Sequence, residues 1–173
     1  MNAVERLTRW VDDFPTPGVR FADLTPVFAD ADGLAEVLEG LAAVAPDADL
    51  VAGIDARGFL LGSGVAVKLG SGVLAVRKGG KLPPPVRSRD YELEYGTASL
   101  EIPAELDLTG KRVLVVDDVL ATGGTLHAAS QLLTDAGADV CALAVVLEIG
   151  LLGGKERLGA VPLTSLVRVS GLR

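Results

Sequence analysis

Cysteine is nearly absent. Cys141 is the one thiol in 173 residues, so no disulfide can close within the chain, and its apolar neighbours mark it as a buried structural thiol ahead of a nucleophile. That fits a reducing compartment, and a cytoplasmic location is expected. Histidine is as scarce: His127 stands alone near an expected helix start, where a surface position is the ordinary outcome. No apolar run approaches the length that spans a bilayer, and Met1-Asn2-Ala3-Val4-Glu5-Arg6 has no basic region followed by an apolar core. Membrane partners are therefore not expected. Basic residues are outnumbered, 16 Lys and Arg against 23 Asp and Glu, for a net charge of -7. That balance opposes a nucleic-acid face, which needs clustered cations to neutralise phosphates. Internal repeats and long low-complexity tracts are missing too.

Hydrophobic residues make up 49% of the chain, enough for this length to bury a full core as one domain spanning residues 1–173. Val4, Leu7 and Val11 at helical spacing predict an opening helix, ended by Asp13-Phe14-Pro15-Thr16-Pro17-Gly18. A second helix is expected from Asp30 or Asp32, with Leu34, Val37, Leu38 and Leu41 on one face. Short apolar runs at Leu50 to Ile54, Val73 to Val76, Arg112 to Val116 and Val140 to Leu147 then alternate with helical stretches at Phe59 to Leu69 and Leu126 to Ala136. This is the rhythm of a doubly wound, mostly parallel α/β sheet with flanking helices. Ligands in such sheets sit beyond the carboxyl ends of the strands, so the residues after Ile54, Val76 and Val116 should converge on one cleft. Tyr91 to Tyr95 and Ala98 to Ile102 flank Gly96-Thr97 and read as a hairpin outside this alternation. Five cations, Arg77, Lys78, Lys81, Arg87 and Arg89, fall between Arg77 and Asp90. A basic segment on an acidic protein points to a small polyanion held at one place. With Pro83-Pro84-Pro85 inside it, Lys78 to Asp90 is expected to be a stiffened exposed loop of the kind that serves as a lid.

The most informative run is Val113 to Leu126, VLVVDDVLATGGTL. Four apolar residues form a strand buried on both faces, followed by Asp117 and Asp118, then the turn Ala121-Thr122-Gly123-Gly124-Thr125 before a helical pattern. Gly123 and Gly124 have no Cβ to block close approach, and the N–H groups at the helix start favour an anion such as phosphate. The adjacent carboxylates would repel a bare phosphate. They make sense as acceptors for hydroxyls, which a ribose 5-phosphate would supply. A response-regulator receiver domain also carries two acids at a strand end, but it needs a later phosphorylated Asp, and Asp135 and Asp139 lie too close. A P-loop fails because no Gly-Lys-Ser/Thr follows. An ordinary strand-to-helix turn with solvated acids is the plain alternative.

This run resembles the phosphoribosyl diphosphate (PRPP) motif of the type I phosphoribosyltransferases. Gly53-Ile54-Asp55-Ala56-Arg57-Gly58-Phe59 is similar to that family's pyrophosphate loop, and a planar, always charged Arg suits phosphate oxygens. The plain alternative is a surface Arg at a helix start, where the dipole opposes it. Asp13 to Pro26 (DFPTPGVRFADLTP), Arg77 to Pro83 and Tyr91 to Gly96 narrow the likeness to the adenine-specific branch, and it extends from about Val11 to Val169. The resemblance implies a type I phosphoribosyltransferase fold with a small hood (residues 1–30) and a flexible β-hairpin lid (residues 78–97). It implies transfer of the phosphoribosyl group from PRPP to adenine with Mg2+ bound through PRPP and water rather than by direct protein ligands, and a homodimer.

Carried over by resemblance, Asp117 and Asp118 bind the ribose hydroxyls, and Ala121, Thr122, Gly123, Gly124 and Thr125 bind the 5-phosphate. Ala56, Arg57, Arg77, Lys78 and Lys81 hold the diphosphate, with a cis peptide expected at Ala56 to Arg57. Glu94 manages the proton on the imidazole ring of the base, and Tyr95 orders the lid. Phe21, flanked by Arg20 and Ala22, stacks on the base and Ile149 covers its other face. Phe21 and Ile149 could equally be plain core, and Glu94 one more exposed carboxylate. The family commonly has an apolar residue before the Phe and a basic one after it, so Arg20 and Ala22 leave a 6-oxopurine open as the base. A PRPP-sensing regulator of the same fold is a further alternative, but it should carry a DNA-binding domain or basic face that this chain lacks.

Overall fold

The computed structural model describes residues 2–93 and 96–170. Asn2 and Glu5 cap a short helix, α1 (Ala3–Leu7), reciprocally. The helix stops there, and Val11 falls instead in a strand, β1 (Arg9–Asp12), antiparallel to β2 (Arg20–Asp23) with Val11 opposite Phe21. The expected longer helix loses because β1 gains a cross-strand ladder, closed by the Asp13 carboxylate accepting from the Gly18 N–H at 2.7 Å. After α2 (Thr25–Ala29), Asp30 caps α3 (Ala31–Ala42) by accepting from Gly33 N–H at 2.8 Å, and Val37 and Leu41 are buried as the periodicity predicts.

The remaining elements are β3 (Leu50–Ile54), α4 (Arg57–Leu69), β4 (Gly72–Lys78), β5 (Val86–Leu93), β6 (Gly96–Pro103), β7 (Arg112–Leu120), α5 (Gly124–Asp135), β8 (Asp139–Ile149) and β9 (Leu163–Val169). Seven strands form one sheet in the order β5-β6-β4-β3-β7-β8-β9. The five from β4 to β9 in that order are parallel, and β6 and β5 add antiparallel at the edge. Leu114 and Val116 pack with Val37, Leu41, Leu61 and Val65 on one face, while Val113 and Val115 pack with Leu126, Leu132 and Leu133 on the other. Burial on both faces is why β7 reads as an unbroken apolar run. Among the described residues no helix is long and apolar enough to cross a membrane.

Two expectations are refined here. The hairpin does fall outside the strand–helix alternation, yet it extends the main sheet rather than standing apart from it, because β6 bonds to β4 through Arg77 opposite Glu101 and Lys78 opposite Leu100. The expected exposed loop Lys78 to Asp90 is also half strand, since β5 begins at Val86. Pro83-Pro84-Pro85 delays the strand, and pairing of Val86 with Pro103 starts it.

Candidate active site

The carboxyl ends of β3, β4, β7 and β8 share one edge of the sheet, where two interlocked glycines bring the chain close together. A Cβ on Gly53 would stand 2.3 Å from the Gly58 carbonyl oxygen, and one on Gly58 would stand 2.9 Å from that of Val116. Only glycine fits there, so α4 starts hard against β3 and β7. Its first residue is Arg57, preceded by a cis peptide at Asp55–Ala56. The expected Ala56 to Arg57 position is therefore one residue too late, since Arg57 already belongs to the helix.

Arg57 donates through Nε to the Asp118 carboxylate, a pair whose acid side chain is 6% exposed. Its guanidinium also lies over the Phe21 ring, 5.7 Å from the centroid. Burial pulls the Arg57 pKa down, but the hydrogen bond and charge of Asp118, with Asp117 and Asp23 behind it, hold it above the ordinary value. Asp117 behaves oppositely. Its dense surroundings and the neighbouring Asp118 charge push its carboxyl well above the usual range, and its Oδ1 accepts from the Asp118 N–H at 2.9 Å. Both acids lie inside β7, which runs on to Leu120, rather than after the strand end as the sequence suggests. Continued pairing of Val119 with Leu147 and Leu120 with Glu148 extends the strand past them.

Arg77, at the end of β4, donates to Asp55 at 3.1 Å, and the Lys78 N–H reaches the same oxygen at 3.3 Å. Burial would raise the Asp55 carboxyl, yet these donors bring it below the usual range. Asp55, just after β3, therefore meets the last two residues of β4, as Arg57 of α4 meets Asp118 of β7. Lys81 is exposed on the segment between β4 and β5, and Lys78 is exposed as well. Ala121, Thr122 and Gly123 form the turn after β7, with Gly123 at φ +81°, and Gly124 and Thr125 open α5. A Cβ on Gly124 would meet Glu92 O at 3.4 Å and Tyr91 at 3.6 Å, so the hairpin lies directly over this turn. Glu94 and Tyr95 fall outside the described residues.

At the two-stranded β1–β2 sheet, Ala22 is buried and Phe21 meets Phe14 edge-on at 5.1 Å between centroids. Arg20 stacks on Trp10 at 5.1 Å and pairs with Asp12 at 3.3 Å. Ile149, the last residue of β8, is buried. Beside it Glu148, also buried, accepts from Ser165 Oγ at 2.8 Å and pairs with Arg168 at 3.2 Å. Sequence reasoning missed Glu148, whose only signal was a lone acid at the end of an apolar strand, and quoted Asp55 within the pyrophosphate-like loop without giving it a role. His127 lines a cleft of about 350 Å³ with Tyr91, Gly124, Gln131 and Arg157. Cys141 is partly buried, its Sγ lies 3.4 Å from Val113 O, and burial pushes the thiol up.

Residues 27–160 match the phosphoribosyl transferase domain family. An adenine phosphoribosyltransferase of Nocardia farcinica is 72% identical over 167 residues, 96% of this chain and 87% of that protein. One from Rhodococcus jostii is 70% identical over 169 residues, covering 97% and 96%. The crystal structure of adenine phosphoribosyltransferase from Thermoanaerobacter pseudethanolicus superposes with a TM-score of 0.91 at 42% identity, covering 96% of this chain and 98% of that one. A Giardia lamblia APRTase complexed with 9-deazaadenine gives 0.92 at 36% identity, covering 99% of each.

Proposed function

The chain belongs to the phosphoribosyl transferase family, and on that premise we propose that it transfers the 5-phosphoribosyl group of PRPP to adenine, releasing AMP and diphosphate. One observation carries the reading most directly: the β7 acid pair and the glycine turn at the head of α5 share an edge with Arg57, which is bonded to Asp118. Relatives at 72% and 70% identity are named for adenine, so a 6-oxopurine is not favoured.

In this reading the N–H groups of Ala121 to Thr125 take the 5-phosphate, with hydroxyls from Thr122 and Thr125, and Asp117 and Asp118 accept from the ribose hydroxyls. When PRPP arrives, the Arg57 guanidinium exchanges Asp118 for diphosphate oxygens, and the sugar hydroxyls replace it on the acid. Arg77, Lys78 and Lys81 add positive charge around the leaving group. An imidazole nitrogen of adenine attacks the anomeric carbon as the bond to diphosphate breaks, and Glu94 accepts the ring proton. Ribose gains oxocarbenium character in the transition state, so fixed cations on the departing oxygens lower the barrier. Phe21 and Ile149 sandwich the base, and the β5–β6 hairpin excludes water that would otherwise capture the cation.

Magnesium would suit this site, because Asp117 and Asp118 present hard carboxylate oxygens that would hold it through water. When bound with PRPP it supplies further neutralisation of the diphosphate. The reading includes a hood at residues 1–30, a lid at 78–97, a cytoplasmic location and a homodimer. Leu60 and Val67, seven residues apart on α4, are 63% and 81% exposed and Val73 on β4 is 47% exposed, an apolar face that a second copy would cover. Incubation with adenine, PRPP and magnesium, followed by ultraviolet absorbance, should yield AMP. Turnover of hypoxanthine in place of adenine would overturn the base assignment, and no product with either would overturn the reaction.

A further inference from the structure

The connection from β8 to β9 has no role in the chemistry described so far. It passes through two short 3-10 turns, Gly150–Leu152 and Gly154–Arg157, and lays Gly154 against the turn after β7. A Cβ on Gly154 would stand 2.2 Å from the Ala121 carbonyl oxygen, and one on Gly123 would stand 2.3 Å from the Gly154 carbonyl oxygen. Each backbone occupies the space that a side chain on the other would need. Gly154 is buried, and Gly153 before it takes φ +62°, the left-handed turn that swings the chain onto the loop. Three residues later, Arg157 Nη1 lies 3.7 Å from the position of a Cβ on Gly124, so the same segment flanks the start of α5. Behind it the connection is anchored in the sheet, where Glu148 holds Ser165 and Arg168 of β9.

We propose that Gly154 is a positioning residue for the 5-phosphate, holding Ala121 to Gly123 by backbone contact so that their N–H groups are aimed before the ligand arrives. The proposal rests on the reading that Ala121 to Thr125 takes that phosphate. Gly123 has no side chain to fix its own conformation and sits at φ +81°. An external brace therefore supplies the preorganisation that an anion cradle needs. The interlock works only while both partners lack a Cβ.

Gly154→Ala tests this. Relieving the 2.2 Å approach to an ordinary contact above roughly 3 Å displaces the loop by about 1 Å, which should raise KM for PRPP on the order of tenfold to a hundredfold. Binding of ribose 5-phosphate should weaken by a similar factor, while KM for adenine and kcat at saturation stay within about twofold. Gly159→Ala is the control: its φ is +68° and nothing lies within 4 Å of its Cβ position, so it strains the same connection without touching the loop. It should lower Tm yet leave KM for PRPP unchanged. A Gly154→Ala enzyme with wild-type KM for PRPP overturns the proposal, as does an equal rise in KM for Gly159→Ala. If Thr125→Ala and Thr122→Val leave ribose 5-phosphate affinity intact, the phosphate reading itself fails and takes the proposal with it. Should Gly154→Ala not fold, 15N-glycine-labelled wild type titrated with ribose 5-phosphate should shift the Gly154 amide resonance along with Gly123 and leave Gly159 still. A stationary Gly154 contradicts the brace.

Discussion

Arg57 carries two relationships at once, an ion pair with Asp118 and a stack on Phe21. Removing it leaves a buried carboxylate without its cation. With the Arg57 side chain 44% exposed, solvent screens part of that loss, and Arg57→Ala should destabilise the fold by about 1–3 kcal/mol while abolishing measurable PRPP binding. Thermal unfolding and calorimetry check the two effects separately. Asp117 gives a prediction of opposite sign for stability. Desolvation of this partly buried carboxyl and the Asp118 charge raise it above its ordinary 3.8, so over part of the pH range the folded protein keeps a proton that the unfolded chain has released. Between those two values stability falls as pH rises. Asp117→Asn removes that loss, so its Tm should exceed wild type at about pH 7, with the gap closing as pH falls toward about 4. PRPP affinity should drop in the same variant; a lower Tm at neutral pH would contradict the environment described. Glu94→Gln should cut kcat by roughly 10²- to 10⁴-fold with little change in PRPP affinity, and unchanged turnover would remove Glu94 from the chemistry.

Among the elements, those with strong periodicity were legible from sequence. β3 occupies Leu50–Ile54 as read, and α3 buries Val37 and Leu41 as their spacing requires. What escaped was decided by partners distant in the chain. Val11 fits a helix by spacing, yet its pairing with Phe21 makes it strand, and Leu120 extends β7 only because Glu148 lies beside it. The strand, acid pair, glycine turn and helix from Val113 to Leu126 were legible because that pattern is local, whereas the contact of Gly154 with the turn was not, since nothing in a Gly-Gly pair announces which loop it will touch. Glu148 belongs to the same class. Its hold on Ser165 and Arg168 sets the direction in which β8 leaves the sheet at Ile149. Glu148→Gln weakens that anchor and should raise KM for adenine roughly threefold to tenfold, the cost of about one ordinary hydrogen bond, without moving KM for PRPP. Equal rises in both constants would mark a general loosening instead.

At the scale of the molecule, an acidic chain places five of its sixteen cations between Arg77 and Arg89 and leaves Leu60 and Val67 of α4 and Val73 of β4 exposed. A homodimer formed through Leu60 and Val67 should bury roughly 800 Å² per subunit, so light scattering should report twice the chain mass and Val67→Asp should shift it toward monomer. A dimer undisturbed by that charge would place the interface elsewhere. The sheet order puts β7 between β3 and β8, and this centrality lets one short motif meet residues from three strands. All of the proposed chemistry depends on the sugar phosphate sitting there. The most direct measurement is a crystal structure of the protein with PRPP and magnesium. Density for the 5-phosphate within Ala121 to Thr125, with ribose hydroxyls on Asp117 and Asp118, is the predicted result. An empty turn, with PRPP bound at the cleft beside His127 or anywhere else, would contradict it.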